Sequence, residues 1–484
     1  MDEEKKPSSF VSKDEFETQE QVPFEKSEAE VKFVSKMNRH FIPFVCVILF
    51  LQFIDKGTLA IVALIPEFFQ DVGINRDQYA WCNSIFYLGY LCMQLPNNFM
   101  MQKFPISKYI GVMLVVWGAV LFCMCFAHSF SQLAGLRFLL GFFEATTYPA
   151  VFLLIATMYR RSEQVVWFGI MFVSNSVATI IGNGAAVGIL RMPTVGFFSP
   201  WKWAMVIYGS ATMAAGVVFF FFMPDRSDSR WFKLTEEEKL IVEDRARDNA
   251  VVPNRKIKMN QIWEALKEPR LYCYCLISMF VNFQNGALTS FNTIIISDLG
   301  FNSTDAILLT MPYAGAIITM IFISTWLSKK YNETIYVAMG ACVISIIGLT
   351  MLAAIPSGGV KLMGIYLSGG CTPSYVLLQA SISSNVSGYT KKIFYTAGNL
   401  VFYTIGNFVG PLLLRDKEAP RYLSGMGVYI AANVLAILLF AYVRLVYVKT
   451  NKQRHLDKNV NIAALPDDLE DMTDKENEHF VYRT

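Results

Sequence analysis

The chain has 484 residues, 54% of them hydrophobic and only 17% charged, with a net charge of +3 and a mean hydropathy of +0.38. That balance lies outside the range of ordinary soluble domains. The charges sit in tails and loops and build no basic face, so nucleic acid is excluded as a partner and a membrane lipid environment is expected.

Twelve windows are long and apolar enough for a helix to cross a bilayer, which takes about 20 residues. In chain order they are 41–65, 79–101, 107–127, 131–158, 164–190, 201–223, 271–297, 303–327, 334–355, 361–384, 392–414 and 424–447. A β-barrel is excluded, because its strands of roughly 9–11 residues alternate strictly and these runs do not. The fold class read from the windows is an all-α membrane protein with twelve transmembrane helices. They fall into two six-helix halves around a central cavity, the plan of a major facilitator fold. The expected organisation is an N-terminal tail over 1–40, a first half over 41–223, a central loop over 224–270, a second half over 271–447 and a C-terminal tail over 448–484. No cleavable signal precedes the first span, which is expected to act as its own insertion signal.

Lysine and arginine bias orients the bundle. Lys26, Lys32, Lys36 and Arg39 precede the first span, Arg444, Lys449, Lys452 and Arg454 follow the last, and the central loop is rich in both residues. Arg415, Lys417 and Arg421 vote the other way from a short loop, but the tails and central loop outweigh them, so both termini are expected in the cytoplasm. Within the central loop, Thr235 and Glu238 make a capping box that opens a helix through about Arg247. The nine cysteines all fall in or beside apolar windows and read as buried free thiols. Their two C-x-C pairs have no histidine nearby, so no metal site is expected.

The most informative residues are charges at bilayer depth, each costing roughly 2.5–3.5 kcal/mol to insert. Asp55 and Lys56 sit side by side in the first span, and Arg137 and Glu144 lie seven residues apart on one face of the fourth. In a major facilitator fold both spans border the central cavity, so all four groups are expected to share one polar pocket. Their charges sum to zero. Protonating either carboxylate leaves +1, which an organic monoanion would balance; protons are the expected coupling ion, with no other cofactor. Asp55 and Glu144 are therefore the candidate proton-coupling residues, and Lys56 and Arg137 the candidate anion-binding residues. Tyr87 and, in the second half, Gln284, Asn285, Tyr403 and Asn407 are candidate cavity-lining residues. Each of these neutral groups has packing between helices as its competing role. No catalytic set can be assembled with only four histidines present, so an enzyme is not expected.

An ordered series of motifs carries a family resemblance: Phe53-Ile54-Asp55-Lys56-Gly57-Thr58-Leu59, Tyr87-Leu88-Gly89-Tyr90 with Pro96, Arg137-Phe138-Leu139-Leu140-Gly141 with Glu144, Ser387-Gly388-Tyr389-Thr390-Lys391-Lys392, Gly406-Asn407 with Gly410-Pro411, and the tail Asp471-Met472-Thr473-Asp474-Lys475-Glu476-Asn477-Glu478-His479-Phe480-Val481-Tyr482. The set spans nearly the whole chain and resembles the fungal allantoate permease family of anion:cation symporters. The resemblance implies proton-driven uptake of a small carboxylate such as allantoate or ureidosuccinate across a fungal membrane; a monomer is expected, in the plasma membrane rather than the endoplasmic reticulum. The alternatives it leaves open are a vitamin or amino-acid carboxylate (nicotinate, pantothenate, biotin, cysteine) and a nutrient receptor on the same fold. It also implies that Asp55 and Glu144 couple protons and that Lys56 meets the substrate carboxylate. A drug antiporter is disfavoured because the glycine-proline motif of that group is missing from Phe172 to Leu190, and Pro224-Asp225-Arg226-Ser227 departs from the sugar-porter sequence.

Overall fold

A computed structural model describes residues 27–159, 161–196, 198–224, 227, 229–249, 258–355, 359–456, 472–477 and 480–484. Helices occupy all twelve apolar windows, and no strand occurs among the described residues. The first half comprises α1 (Glu28–Val62), α2 (Arg76–Lys103), α3 (Ile106–Cys123), α4 in two segments (Phe130–Glu144 and Thr147–Met158), α5 (Arg161–Leu190) and α6 (Pro200–Phe222). The second comprises α7 (Pro269–Asp298), α8 (Thr310–Tyr331), α9 (Thr334–Ala354), α10 in two segments (Val360–Ser368 and Cys371–Asn385), α11 (Tyr389–Leu412) and α12 (Leu423–Leu456). Seven spans among the described residues are apolar enough to cross a membrane on length and composition alone. The shortfall in α2, α7 and α11 comes from polar residues in mid-span, which a helix bordering a polar interior tolerates.

The two halves repeat one packing plan. In the first, α1 packs on α5, α2 on α4 and α3 on α6; in the second, α7 packs on α11, α8 on α10 and α9 on α12. The halves meet through α1 on α7, α2 on α11 and α5 on α8. Several bonds close this seam at the end away from the termini. Arg76 grips Asp298 with two bonds of 2.9 and 3.0 Å, and Tyr422 donates to the same carboxylate. Asn183 donates to Thr310 at 2.7 Å and Thr293 to the Ala60 carbonyl at 2.6 Å. Nearer the middle, Gln94 donates to Thr404 at 3.0 Å.

The expected capping box forms at Thr235 and Glu238, opening the helix Glu236–Asn249, and Glu238 also binds Lys36 of α1 at 3.0 Å. All nine cysteines are free, but Cys92 and Cys123 are exposed rather than buried. They lie on outward faces of their helices, where a thiol is as acceptable as an alkyl group.

The C-terminal tail holds a feature that composition does not disclose. Asp474 is fully buried, with one oxygen 2.7 Å from the Lys391 ammonium and the other 2.8 Å from the Arg270 guanidinium. Glu268 neutralises the same two cations, and the Tyr482 ring stacks on Tyr447 at 4.7 Å. Arg483 exchanges two hydrogen bonds with Asn385. Segments 472–477 and 480–484 thus strap the ends of α7, α10, α11 and α12 together. Burial alone would push the Asp474 carboxyl up, but the charges of Arg270 and Lys391 outweigh it and hold the group below its ordinary value. The Glu268 carboxyl is lowered against burial in the same way. Asp474→Ala leaves buried cations short of an anion and should cost about 3–5 kcal/mol, read as a lower unfolding temperature in detergent and faster proteolysis of the tail. Because both carboxyls titrate below their ordinary values, the strap should hold its full strength above about pH 5 and loosen progressively as the pH falls below that. Protease release at neutral pH would contradict this.

Candidate functional site

Neighbours on an α-helix point about 100° apart, and that angle separates Asp55 from Lys56. The Lys56 ammonium reaches the Glu144 carboxylate of α4, Nζ to Oε1 3.2 Å, and lies 5.8 and 5.5 Å from the ring centres of Tyr90 and Tyr148. Gln52, one turn before Lys56, donates to the same Oε1 at 3.1 Å, while Oε2 has no protein partner. Lysine over aromatic faces gains roughly 0.5–2 kcal/mol. The ammonium is therefore held by one carboxylate oxygen and a frame of rings, with Lys56 itself about 15% exposed and Glu144 fully buried.

Local chain chemistry places Glu144. Pro149 has no N–H to give the Ala145 carbonyl, so the helix breaks after Glu144 and restarts at Thr147. Asn97 of α2 donates to the released Ala145 carbonyl at 3.5 Å and is itself oriented by Tyr109 at 2.9 Å. Two glycines set the depth of the contact. A Cβ on Gly141 would stand 1.9 Å from the Phe86 carbonyl oxygen, and one on Gly89 2.0 Å from that of Phe138. Only glycine lets α2 and α4 approach this closely. Glu144 ends the first segment of α4, where the negative helix end adds to the attraction felt by Lys56.

Asp55 and Arg137 depart from the expected single pocket. Asp55 has no exposed surface and points into the first half toward Tyr208 and Thr212 of α6. Arg137 lies with it, within electrostatic reach of Asp55, Glu144, Tyr79 and Cys82, with Nε and Nη2 lacking protein partners. Thus Lys56 and Glu144 face the seam between the halves, whereas Asp55 and Arg137 stand behind them. The reason is the same 100° step: when Lys56 faces the seam, its neighbour must turn into the bundle.

The second half completes the surface. Tyr403 of α11 lies within electrostatic reach of Lys56, as does Tyr87 of α2. Tyr375 of α10 packs 5.2 Å from Tyr403, and Gln379 donates to the Tyr375 hydroxyl at 2.7 Å. Asn285 donates to Asn407 at 3.0 Å and Asn407 to Asn282 at 3.4 Å, stitching α7 to α11. Gln284 does not line the cavity. It is fully buried, donating to the Ser368 carbonyl at 2.5 Å and accepting from Ser345 and Asn433, because its position on α7 faces α9, α10 and α12. Sequence reasoning missed Gln52, Tyr90 and Tyr148. Gln52 was findable from its i, i+4 relation to Lys56, but Tyr148 lies beyond a helix break that spacing alone does not register. No group of metal-ligating side chains occurs among the described residues.

A family model described as Major Facilitator Superfamily matches residues 45–411. The chain is 30% identical over 444 residues to an uncharacterised transporter of Schizosaccharomyces pombe, covering 91% of this chain and 89% of the relative. It is likewise 30% identical over 475 residues to the allantoate permease of Saccharomyces cerevisiae, covering 94% and 87%. Among solved structures, a bacterial homologue of the human lysosomal transporter Spinster, inward-facing and occupied, aligns with a TM-score of 0.64 at 15% identity over 83% of this chain and 95% of that one. A D-xylose-proton symporter aligns with a TM-score of 0.62 at 11% identity over 83% and 97%; at such identities the likeness shows the fold alone. The chain is an integral membrane transporter rather than an enzyme, and it belongs to the Major Facilitator Superfamily, among members like the fungal allantoate permease.

Proposed function

We propose that this protein is a proton-coupled symporter that imports a small organic carboxylate, allantoate or ureidosuccinate being the leading candidates, across the plasma membrane with both termini in the cytoplasm. One observation carries the reading: the Lys56 ammonium, set at the seam between the halves, is occupied by a single oxygen of Glu144 at 3.2 Å. A substrate carboxylate wants the same ammonium. While Glu144 is ionised, the two anions compete in a site of low dielectric, where like charges repel strongly. A proton on Glu144 frees Lys56 for the substrate, and the bound anion in turn removes the reason for Glu144 to stay charged. Proton and anion then assist each other's binding, as linkage requires.

The energetics explain why a carboxylate importer needs this. Drawing one monoanion into a cell at about −100 mV costs roughly 2.3 kcal/mol, and one accompanying proton cancels that term. A pH difference of one unit then supplies about 1.4 kcal/mol, enough for roughly tenfold accumulation. Tyr87, Tyr90, Tyr148 and Tyr403 offer rings and hydroxyls for the remainder of the solute, and the bonds around Arg76 and Asp298 form the closed gate on the side away from the termini. The relative named an allantoate permease supports the substrate class.

Uptake of labelled carboxylates at two external pH values, in cells lacking endogenous permeases, tests the proposal. Accumulation of one of them should rise at least several-fold per unit of acidification, and flux indifferent to pH would contradict it. Lys56→Ala should weaken binding of that carboxylate by at least about a hundredfold, since removing one partner of a buried pair costs roughly 3–5 kcal/mol; an unchanged affinity removes Lys56 from the site. Glu144→Gln should abolish accumulation against a gradient yet retain exchange of labelled for unlabelled substrate. Loss of both would mean that Glu144 binds substrate rather than couples protons.

A further inference from the structure

Lys361, the second residue of α10, carries its ammonium inside the protein at the end away from the termini. The residue is 1% exposed, and its Nζ has no hydrogen-bond partner among the described residues. A buried charge without a partner is costly, and a membrane protein keeps one where its function uses it. Two charges lie within electrostatic reach: the Arg421 guanidinium, which repels the ammonium, and the Asp298 carboxylate, which attracts it. Asp298 is already taken. Arg76 holds it through bonds of 2.9 and 3.0 Å, and Tyr422 donates to it at 2.9 Å. These groups are divided unevenly between the halves. Asp298 ends α7, Lys361 stands at the start of α10, and Arg421 and Tyr422 lead into α12, all in the second half, whereas Arg76 begins α2 of the first. Arg76 is also the more accessible cation, its side chain 34% exposed.

We propose that Lys361 is the exchange partner of Asp298: when the halves part at this end, the carboxylate passes from Arg76 to Lys361, which makes Lys361 a positioning residue for the open gate. The proposal rests on the reading of Arg76 and Asp298 as the closed gate, and it holds whatever solute the seam carries and whether or not protons accompany it. Opening takes Arg76 away with the first half, while Asp298, Tyr422 and Lys361 travel together. Tyr422, itself buried, keeps its bond to the carboxylate throughout. Lysine suits the role, because a flexible four-carbon stem with three rotatable donors can swing to a nearby oxygen without the set geometry that a guanidinium fork requires. The two cations also differ in what solvent can do for them. Arg76, a third exposed, is hydrated once released, but Lys361 is enclosed and has only Asp298 to relieve it. The unpaired ammonium thus works against the closed gate and offsets part of the attraction between Arg76 and Asp298. That offset keeps the open and closed gates close in energy, as a transporter that must visit both requires.

Double electron–electron resonance on the purified transporter tests the exchange. Spin labels go on Gln70→Cys in the first half and Lys417→Cys in the second, both exposed at this end, with the exposed Cys92 and Cys123 replaced by serine. The distance distribution reads the ratio of open to closed gate. Lys361→Met, which keeps the length and removes the charge, should lower that ratio at least about tenfold, whereas Lys361→Arg should hold it within about threefold. In Asp298→Asn there is no carboxylate to exchange, so adding Lys361→Met should change the ratio less than about twofold. An unchanged ratio in Lys361→Met, or an equal fall with and without the Asp298 charge, overturns the exchange. Arg76→Ala should raise the ratio; if it does not, the gate reading itself fails, so the two failures are distinguishable. Unfolding temperature checks the closed state separately. Replacing an unpaired buried charge by an apolar chain should leave it unchanged or raise it, and a fall would mean that Lys361 already has a partner there, which also overturns the exchange.

Discussion

A single ammonium in a low-dielectric interior cannot satisfy two carboxylates at once, and the arrangement around Lys56 is organised by that constraint. Glu144 holds it from one side through one oxygen, Gln52 fixes that oxygen, and rings of Tyr90 and Tyr148 lie near the remaining faces. Among the described residues, no second acid comes within ion-pair distance of Lys56. The other acid of the first span is turned away by the geometry of the helix itself, which leaves the part of the seam around Lys56 with that cation, Glu144 and a neutral aromatic surface. A solute carboxylate arriving there meets a partner already taken, and a proton is the smallest thing that can free it.

The surrounding structure keeps that competition sharp. The close approach of α2 and α4 at Gly89 and Gly141, and the break that Pro149 imposes, fix Glu144 at a helix end rather than within a continuous helix. The bonds of Arg76 and Asn183 hold the halves together at one end, while the tail strap ties α7, α10, α11 and α12 at the other. Each half is thereby stiffened internally, with breakable polar bonds between them. Rigid halves joined by such bonds are the mechanical requirement for rocking about a central site.

Much of this was legible in the chain. Apolar windows of bilayer length declared the twelve spans, and four ionised residues inside two of them declared where the polar interior would lie, because hydrocarbon tolerates charge only under special circumstances. Tyr87 and Tyr403 lie within electrostatic reach of Lys56. What stayed hidden depended on rotation and tertiary contact. Asp55 and Lys56 look equivalent in the sequence, yet one faces the seam and the other α6. Gln284 and Asn285 look alike, yet Gln284 joins a network with Ser345, Ser368 and Asn433, and Asn285 binds Asn407 across the contact of α7 and α11. Asp474 in a polar tail gives no local sign of burial, since its partners Arg270 and Lys391 lie far away in the chain. Cues of this kind belong to packing, which periodicity does not encode.

Competition for Lys56 is tested most directly by counting protons as an anion binds. Calorimetry of the purified transporter with its carboxylate substrate, repeated in buffers of different ionisation enthalpy, reads the protons taken up on binding. If freeing Lys56 requires protonation of Glu144, at neutral pH close to one proton should be absorbed per anion, and Glu144→Gln should absorb almost none while still binding. Binding with no proton uptake by the unmodified protein would contradict the competition.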